Sequence, residues 1–411
     1  MPTLRPFHAL RPRPDRAPEV SAVPYDVVST EEARQLAAGR PYSFLHVSRP
    51  EIDLPDGTDP HADNVYAKAA EAFATLRERA PLEAEAYPAL YVYRLRMGDR
   101  VQTGVAGIAS LDEYDADVIK KHERTRRDKE DDRTRHMLTL GAQTGPVFLT
   151  YRGRGEIDDA VSRAMASPPL FDLVAPDGVA HTIWRLSEAD SAALSRAFDA
   201  VPFFYIADGH HRAASAARAR KELRKAGSAP GSPADFFLTV AFPAAQVAIL
   251  PYNRVVKDLG GRAPEALLAE LASRFSLREV HSAAPEAKGE VGVYLAGRWH
   301  RLTLPSGDGA GPIQSLDADR LQRQVLEPLL GIGDVRTDPR IDFVGGVRGT
   351  RWLEKLVDSG KAAVAFAMYP VSLEELMAIS DAGEIMPPKS TWFEPKLRDG
   401  LLIHEIGGGV S

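Results

Sequence analysis

Residues 205–223 read YIADGHHRAASAARARKEL and hold the densest polar chemistry in this chain. The stretch overlaps an apolar run, VPFFYIA at residues 201–207, which has the composition of a buried β-strand. After Asp208 and Gly209, the alanine-rich sequence predicts a helix that begins at or just after His210. Because the first turn of a helix presents backbone N–H groups and the positive end of its dipole, this junction predicts an anion-binding turn.

The side chains at this junction are those of a phosphate site. Gly209 lets the backbone approach a ligand closely. His210, His211 and Arg212 add donors, and an arginine can bind phosphate through two parallel hydrogen bonds. Asp208 is predicted either to cap the helix or to hold a divalent cation that bridges phosphate oxygens. A capped helix with surface histidines is the structural alternative.

A second group of charged residues lies in IKKHERTRRDKEDDRTRHM, residues 119–137. A mixed charge run of this kind commonly forms a solvated helix face. This one follows a strand, however, and sets a carboxylate among basic groups, as a general base or a phosphoryl-transfer site requires. We therefore predict that Glu123 and His122 act in catalysis and that Lys120 and Arg124 bind phosphate.

A third group lies in MPPKSTWFEPKL, residues 386–397. The two prolines exclude a helix here, and Lys389, Ser390 and Thr391 are residue types that contact phosphate. The glycine spacing of a P-loop is missing. We predict that this tail folds back over the phosphate pocket, with Lys389 and Ser390 within reach of the ligand.

The composition narrows the functional classes. The chain has 411 residues, of which 44% are hydrophobic and 26% charged, which describes a globular protein of two domains. A net charge of −6 argues against a nucleic-acid partner and a basic membrane-surface protein. With no cysteine, the chain lacks disulfides, thiolate nucleophiles and cysteine-ligated metals. No signal peptide or membrane span is evident, so we expect a cytoplasmic protein of bacterial composition.

Helix and strand patterns alternate along the whole sequence and predict a mixed α/β (α+β) fold. A capping box predicts a helix over 29–39, and 64–80 has one apolar helical face. Turns at 98–100 and 176–178 predict two β-hairpins. We place a catalytic domain at 1–255 and a C-terminal α/β domain at 256–411, whose tail (384–407) returns to the site.

Several motifs together resemble the bacterial and archaeal domain-of-unknown-function 1015 family. The resemblance runs from about residue 5 to about residue 407. It is carried by VPYDVVS, PYSFLHVSRPEID, KHERT, FYIADGHHRAASA, YNRVV, IDFVGG and MPPKSTWFEPKL. The DGHHR segment in turn resembles the nucleotide-binding box of the ParB/sulfiredoxin-like fold, which includes free serine kinases. The chemistry of sulfiredoxin needs a cysteine, so that activity is excluded here.

This resemblance implies that residues 208–212 form the phosphate and metal end of a nucleotide site, with Mg²⁺ at Asp208 and ATP or ADP as nucleotide. An upstream carboxylate acts in the kinases, and Glu123 is the first candidate for that role here, with Asp26 the second. Asp26 lies in a Pro-Tyr-Asp turn, for which a purely turn-forming role is the structural alternative.

Three functional classes remain open at this point. The first is phosphotransfer on serine or a related small hydroxy metabolite, or phosphoserine hydrolysis as the reverse reaction. The second is a ParB-like nucleotide-binding regulator, although no basic helix-turn-helix is evident. The third is a histidine-metal hydrolase that uses His122, Glu123, His210 and His211, although adjacent histidines diverge by about 100° around a helix. A homodimer is an open alternative to a monomer.

Overall fold

A computed structural model describes residues 1–80, 82–307 and 311–407. Its strands are β1 (Leu4–Arg5), β2 (Ala9–Pro12), β3 (Leu82–Ala84), β4 (Tyr91–Met97), β5 (Arg100–Ser110), β6 (Ile119–Lys120), β7 (Ala142–Gln143), β8 (Val147–Tyr151), β9 (Phe171–Val174), β10 (Ala180–Arg185), β11 (Phe204–Asp208), β12 (Phe236–Pro243), β13 (Ile249–Leu250), β14 (Tyr252–Val256), β15 (Ser276–Val280), β16 (Glu290–Leu295), β17 (Arg298–Thr303), β18 (Ile341–Gly345), β19 (Val364–Met368), β20 (Trp392–Phe393) and β21 (Ile403–Glu405).

Its α-helices are α1 (Ala17–Val20), α2 (Thr30–Ala37), α3 (Leu45–Ser48), α4 (Asp63–Arg79), α5 (Leu111–Asp115), α6 (Arg127–Leu140), α7 (Gly155–Met165), α8 (Glu188–Phe198), α9 (His210–Lys225), α10 (Pro264–Arg274), α11 (Asp317–Leu321), α12 (Glu327–Leu330), α13 (Thr350–Asp358) and α14 (Leu373–Asp381). The predicted mixed α/β class is confirmed. Among the described residues, no helix is long and apolar enough to cross a bilayer.

The chain forms two compact units. Unit 1 comprises Met1–Lys121, Thr125–Val247 and the segment from Pro395 onward, and unit 2 comprises His122–Arg124 and Ala248–Glu394. The predicted division at 255/256 stays a prediction. In the structure the chain passes from unit 1 to unit 2 at Ala248, residues 122–124 lie in unit 2, and residues from 395 onward lie in unit 1.

Unit 1 is built on a mixed sheet in which the strands follow the order β6-β11-β8-β12-β5-β4-β10-β9, with β1 paired to β5. Both predicted hairpins are confirmed, as β4–β5 and β9–β10. The second turns at Gly178, whose φ of 81° favours glycine. The apolar core on this sheet includes Phe204 and Ile206 of β11 and Ala213 of α9.

A second sheet of unit 1 joins distant parts of the sequence in the order β3-β2-β21-β7. Ala9 of β2 pairs with His404 of β21, and His404 pairs with Gln143 of β7 on its other side. A separate apolar cluster beside it includes Phe44, Phe73 and Ile403. This sheet therefore fixes the segment after Pro395 to the N-terminal part of unit 1.

Unit 2 has a sheet in the order β15-β17-β16-β19-β14-β18 and a short β13–β20 pair. An apolar core lies on each face of the larger sheet, because successive side chains of a strand point to opposite faces. Val256 and Leu271 belong to the core on one face, and Val255 and Leu353 to the core on the other. The charged residue Arg254 comes directly before this buried pair.

Candidate functional site

The predicted strand-to-helix turn is present in unit 1. Strand β11 ends at Asp208 with a register shift against β8 between Ile206 and Asp208. Gly209 then adopts the left-handed conformation, with φ 97° and ψ 27°, and α9 begins at His210. Within the described chain no side chain caps this end of the helix. Asp208 is therefore not the helix cap, and the positive end of the α9 dipole lies directly after the strand.

Asp208 is held by two positive charges. Its Oδ2 atom lies 3.2 Å from Nζ of Lys396 and 3.2 Å from Nη2 of Arg212. Burial raises the pKa of Asp208, but the charges of Lys396 and Arg212 outweigh it and hold that pKa well below its usual value. Asp208 therefore carries its negative charge throughout the neutral pH range.

Arg212 lies beneath the turn and is only 5% exposed. Its Nη1 donates to the Pro146 carbonyl and its Nη2 to Asp208. A Cβ atom added to Gly209 would come within 3.0 Å of Arg212 Nε, so the guanidinium packs directly against the turn. Both terminal nitrogens thus hold protein atoms in place, and the bidentate phosphate contact that we expected of Arg212 stays a prediction.

Gly209→Ala is expected to lower the free energy of unfolding by about 1–3 kcal/mol. The left-handed conformation costs an alanine about 1–2 kcal/mol, and the new methyl group would press on the Arg212 guanidinium. Urea unfolding measures the loss. Gly227→Ala is the matched control, because Gly227 has a φ of 98° and open space at its Cβ position. Equal losses in the two variants would show that Arg212 does not pack on the turn.

The second charged segment reaches the same part of unit 1. Strand β6 pairs in parallel with β11, with Lys120 opposite Tyr205. The Arg126 backbone N–H donates to Nε2 of His211 at 3.0 Å. His211 Nε2 is thus an acceptor, so the neutral ring carries its proton on Nδ1. Two predicted ligand-binding groups, 119–137 and 205–223, are therefore joined at the end of β11.

His210 and Lys120 are two further predicted phosphate-binding residues in this region of unit 1. His210 is 5% exposed, and its charge is among those that lower the pKa of Asp208. Lys120 lies with Nζ 4.6 Å from the centre of the Phe203 ring, a cation–π contact. The phosphate-binding roles predicted for both residues stay predictions.

Asp26 is exposed and lies in the Tyr25–Asp26 turn of unit 1. It lies close enough to the buried residues Arg212 and Asp399 for its charge to raise the pKa of both. Asp26 is therefore the candidate carboxylate that lies in the same unit as the histidine turn.

Asp399 is a buried aspartate near Arg212 and Asp26 that we did not predict from the sequence. Its N–H donates to the Ala22 carbonyl at 3.0 Å, and the Ala22 N–H donates back at 3.2 Å. A Cβ on Gly145 would lie 2.8 Å from Oδ1 of Asp399, so this glycine leaves room for the carboxyl group. Burial raises the pKa of Asp399 to about 7, and the charge of Asp26 adds to the rise against the opposing charge of Arg212. Its only sequence signal is an Asp-Gly pair, which is typical of any turn.

Two of the predicted groups, 122–124 and 386–391, lie in unit 2 and contact each other there. The Met386 N–H donates to the His122 carbonyl at 2.8 Å, and Thr391 Oγ1 lies 3.4 Å from His122 Nε2. Ser390 Oγ donates to the Pro387 carbonyl. Lys389 has a φ of 59°, in the left-handed region. Glu123 and Arg124 line a cavity of about 340 Å³.

The side chains around Asp208 do not fit a metal ion held by protein ligands. The carboxylate is already paired with Lys396 and Arg212. No group of three or more histidine, aspartate or glutamate side chains suited to a metal occurs among residues 1–80, 82–307 and 311–407. The predicted histidine-metal hydrolase would need His122, Glu123, His210 and His211 to share one metal ion, and this alternative stays a prediction.

The model of one protein family, described as a protein of unknown function (DUF1015), matches residues 4–319. This chain belongs to the DUF1015 family. The match covers the histidine turn and most of unit 1, and it confirms the family that the motifs indicated.

Several solved structures match this chain at low identity. A free serine kinase in complex with AMP is 15% identical with a TM-score of 0.36, over 70% of this chain and 86% of that chain. A conserved hypothetical protein from Pyrococcus furiosus is 16% identical with a TM-score of 0.36, over 72% and 94%. SbnI with a C-terminal truncation, from Staphylococcus aureus, is 13% identical with a TM-score of 0.37, over 71% and 84%. A search of curated proteins finds no match.

Proposed function

We propose that unit 1 catalyses nucleotide-dependent phosphotransfer on a small hydroxy metabolite, with serine or phosphoserine as the first candidate and ATP or ADP as nucleotide. The observation that carries the proposal is the pairing of Lys396 with Asp208 at 3.2 Å beside the N-terminus of α9, which no described side chain caps. A lysine charge, a helix dipole and a glycine in the left-handed conformation are the features that stabilise a bound phosphate.

The chemistry requires one proton acceptor and a stabilised leaving group. The substrate hydroxyl oxygen forms a bond to the terminal phosphorus, the bridging P–O bond breaks, and the shortened nucleotide leaves with both bonding electrons. We assign Asp26 to accept the hydroxyl proton, because it is an exposed carboxylate in the same unit as the turn. Lys396 and the first turn of α9 stabilise the charge on the phosphate oxygens. Phosphoserine hydrolysis would use the same groups with water as the nucleophile.

Magnesium enters this proposal with the nucleotide. Mg²⁺ usually retains several waters and is held by substrate phosphates together with one or two carboxylates. Because Asp208 is already paired with Lys396 and Arg212, we propose that the nucleotide phosphates are the principal ligands of Mg²⁺. Binding of ATP in the presence of Mg²⁺ and in excess chelator tests this. A nucleotide-binding regulator without turnover is separated from an enzyme by phosphorus NMR of the same mixtures with serine or phosphoserine.

Lys396→Met is expected to abolish stabilisation of the protein by nucleotide. The variant removes the lysine charge next to the α9 N-terminus but keeps the length of the side chain. A ligand at 100 times its dissociation constant raises the free energy of unfolding by about 2.7 kcal/mol. Thermal unfolding with ATP, ADP and AMP measures this effect.

Lys225→Met is the control, because Lys225 is the last residue of α9, at the opposite end from the turn, is 71% exposed and pairs with Glu222. It should respond to nucleotide as the wild type does. Nucleotide stabilisation that is equal in Lys396→Met and wild type would contradict the proposed pocket.

A further inference from the structure

Arg254 is a buried cation in the middle of unit 2. It is 4% exposed and lies in β14, next to the core residues Val255 and Val256. Its Nη1 donates to the Tyr252 carbonyl, and its Nη2 donates to the Lys389 carbonyl at 3.3 Å. A guanidinium has five N–H donors, so these two contacts leave donors for another group.

No carboxylate forms an ion pair with Arg254 in the described parts of unit 2. The other buried arginines of this unit differ in this respect. Arg301 pairs with Glu290 at 2.7 Å, and Arg320 lies 3.5 Å from Asp317. Because buried charges in proteins are normally paired, Arg254 is unusual within its own unit.

The electrostatics of Arg254 agree with this geometry. Burial lowers the pKa of Arg254 to about 10, and among the described residues the charge that opposes this shift is that of an ionised Tyr252. Arg212 in unit 1 shows the opposite behaviour, because nearby carboxylates raise its pKa despite burial. A bound anion would supply to Arg254 the negative charge that the protein itself supplies to Arg212.

Arg254 lines the cavity of about 340 Å³ to which Glu123 and Arg124 also contribute. The volume suits a small metabolite. Two of the acids in its wall already have partners, since Asp334 pairs with Arg336 at 3.0 Å and Asp319 pairs with Arg323 at 2.6 Å. The rest of the wall is largely apolar and includes Leu326, Val335, Ile385 and Met386.

The segment 386–391 contacts Arg254 through a backbone carbonyl. The carbonyl of Lys389, which accepts the Arg254 hydrogen bond, belongs to a residue with a φ of 59°. A non-glycine residue in this region carries backbone strain, and such residues cluster at ligand sites. Lys389 Nζ lies 5.7 Å from the centre of the Tyr252 ring, so a second cation lies near the Arg254 contacts.

We propose that unit 2 carries an oxyanion-binding site of its own, in which Arg254 binds the phosphate or carboxylate group of a small metabolite. The apolar part of that ligand lies against Leu326 and Met386. Arg124 lies in the same wall and adds positive charge. This site is independent of the phosphotransfer site proposed for unit 1.

Calorimetric titration of the full chain tests the proposal with four probes: inorganic phosphate, phenyl phosphate, acetate and phenylacetate. We expect a phenyl probe to bind more tightly than its inorganic or methyl counterpart, because the cavity wall is largely apolar. Arg254→Met is expected to weaken binding by about 10- to 100-fold, the loss associated with hydrogen bonds to a charged group. Arg254→Lys should retain part of the affinity, since it keeps the charge but loses the fork.

Lys396→Met separates the two sites in the same titration. If phosphate also binds in unit 1, Lys396→Met should abolish binding at that site alone. Binding at the unit 2 site should remain in Lys396→Met and be weakened in Arg254→Met. The proposal is overturned if none of the four probes binds, or if Arg254→Met weakens the binding of none of them, whatever the result for Lys396→Met. Binding by the phosphate pair alone, or by the carboxylate pair alone, supports the site and assigns its ligand class.

Arg301→Met provides the matched control for folding. It removes an equally buried arginine whose carboxylate partner is then left alone, so it should lower the midpoint of ligand-free thermal unfolding more than Arg254→Met does. A larger drop for Arg254→Met in the absence of ligand would show that Arg254 is a structural residue and would count against an anion site.

Discussion

Asp26→Asn is expected to lower the turnover number for phosphotransfer by about 10²- to 10⁴-fold, the usual contribution of a general base. Asparagine keeps the size of the side chain and its turn-forming ability but cannot accept the hydroxyl proton. Since Asp26 is exposed and lies in the turn Tyr25–Asp26, the fold should tolerate the change. Phosphorus NMR with ATP and serine gives the rate, and thermal unfolding shows whether nucleotide still binds.

Glu123→Gln is the comparison that decides between the two candidate carboxylates. We expect it to retain most of the turnover, because Asp26 is the carboxylate that we assign as the proton acceptor. The opposite result, a large loss in Glu123→Gln and none in Asp26→Asn, would transfer the catalytic role to Glu123. If neither variant loses activity, the proposed proton acceptor is wrong, although nucleotide binding by Lys396 would still stand.

The second large effect is the contribution of Asp399 to the pH dependence of the free energy of unfolding. The pKa of its carboxyl is raised by burial to about 7 in the folded protein, whereas an unfolded aspartate has a pKa of about 3.9. The group therefore contributes stability that is fully present below about pH 4 and is lost as the pH rises through about 7. At about 1.4 kcal/mol for each unit of pKa difference, the loss is about 4 kcal/mol.

Urea unfolding between pH 4 and pH 8 measures this contribution as a difference between two proteins. Wild type should lose stability relative to Asp399→Asn over that range, because asparagine does not titrate. Subtracting the two curves removes the histidines common to both, such as His136 and His404, whose pKa values burial lowers to about 4. Parallel curves would mean that Asp399 is ionised throughout and is fully compensated by Arg212 and its neighbours.

Asp208 should show the opposite sign. The charges of Lys396 and Arg212 hold its pKa well below the usual value despite burial. Its contribution to stability is present above about pH 4 and disappears in more acidic solution. Two carboxyl groups of the same unit thus respond in opposite directions, because one is paired with cations at 3.2 Å and the other is governed by burial.

The parts of this site that are local in the sequence could be predicted from it. A buried strand, an Asp-Gly pair and an alanine-rich run predict a strand-to-helix turn, and β11, Gly209 and α9 form one. The hairpins could also be predicted, because their turns and alternating strands are short-range sequence signals. These features depend on backbone conformation, which neighbouring residues determine.

The residues that complete the site were predicted only in part. We expected the tail 384–407 to return to the site, but we predicted contacts from Lys389 and Ser390 rather than from Lys396 or Asp399. Lys396 and Asp399 come from a segment almost 200 residues after the turn, and only the fold brings Lys396 to Asp208. The direction of Arg212 was also hidden, because helix position alone does not tell whether a guanidinium turns outward to a ligand or back beneath Gly209. Arg254 did carry a signal, as a lone charge within the apolar strand YNRVV, but its isolation from carboxylates is visible only in three dimensions.

The pairing of β21 with β2 and β7 has a consequence for synthesis on the ribosome. Translation proceeds from the N-terminus, and domains generally fold as the chain emerges. Unit 1 nevertheless receives Lys396, Asp399 and the strand Ile403–Glu405 only after all of unit 2 has been made. A nascent chain that stalls within unit 2 therefore exposes an incomplete sheet edge and lacks the lysine beside Asp208, on which the proposed phosphotransfer depends.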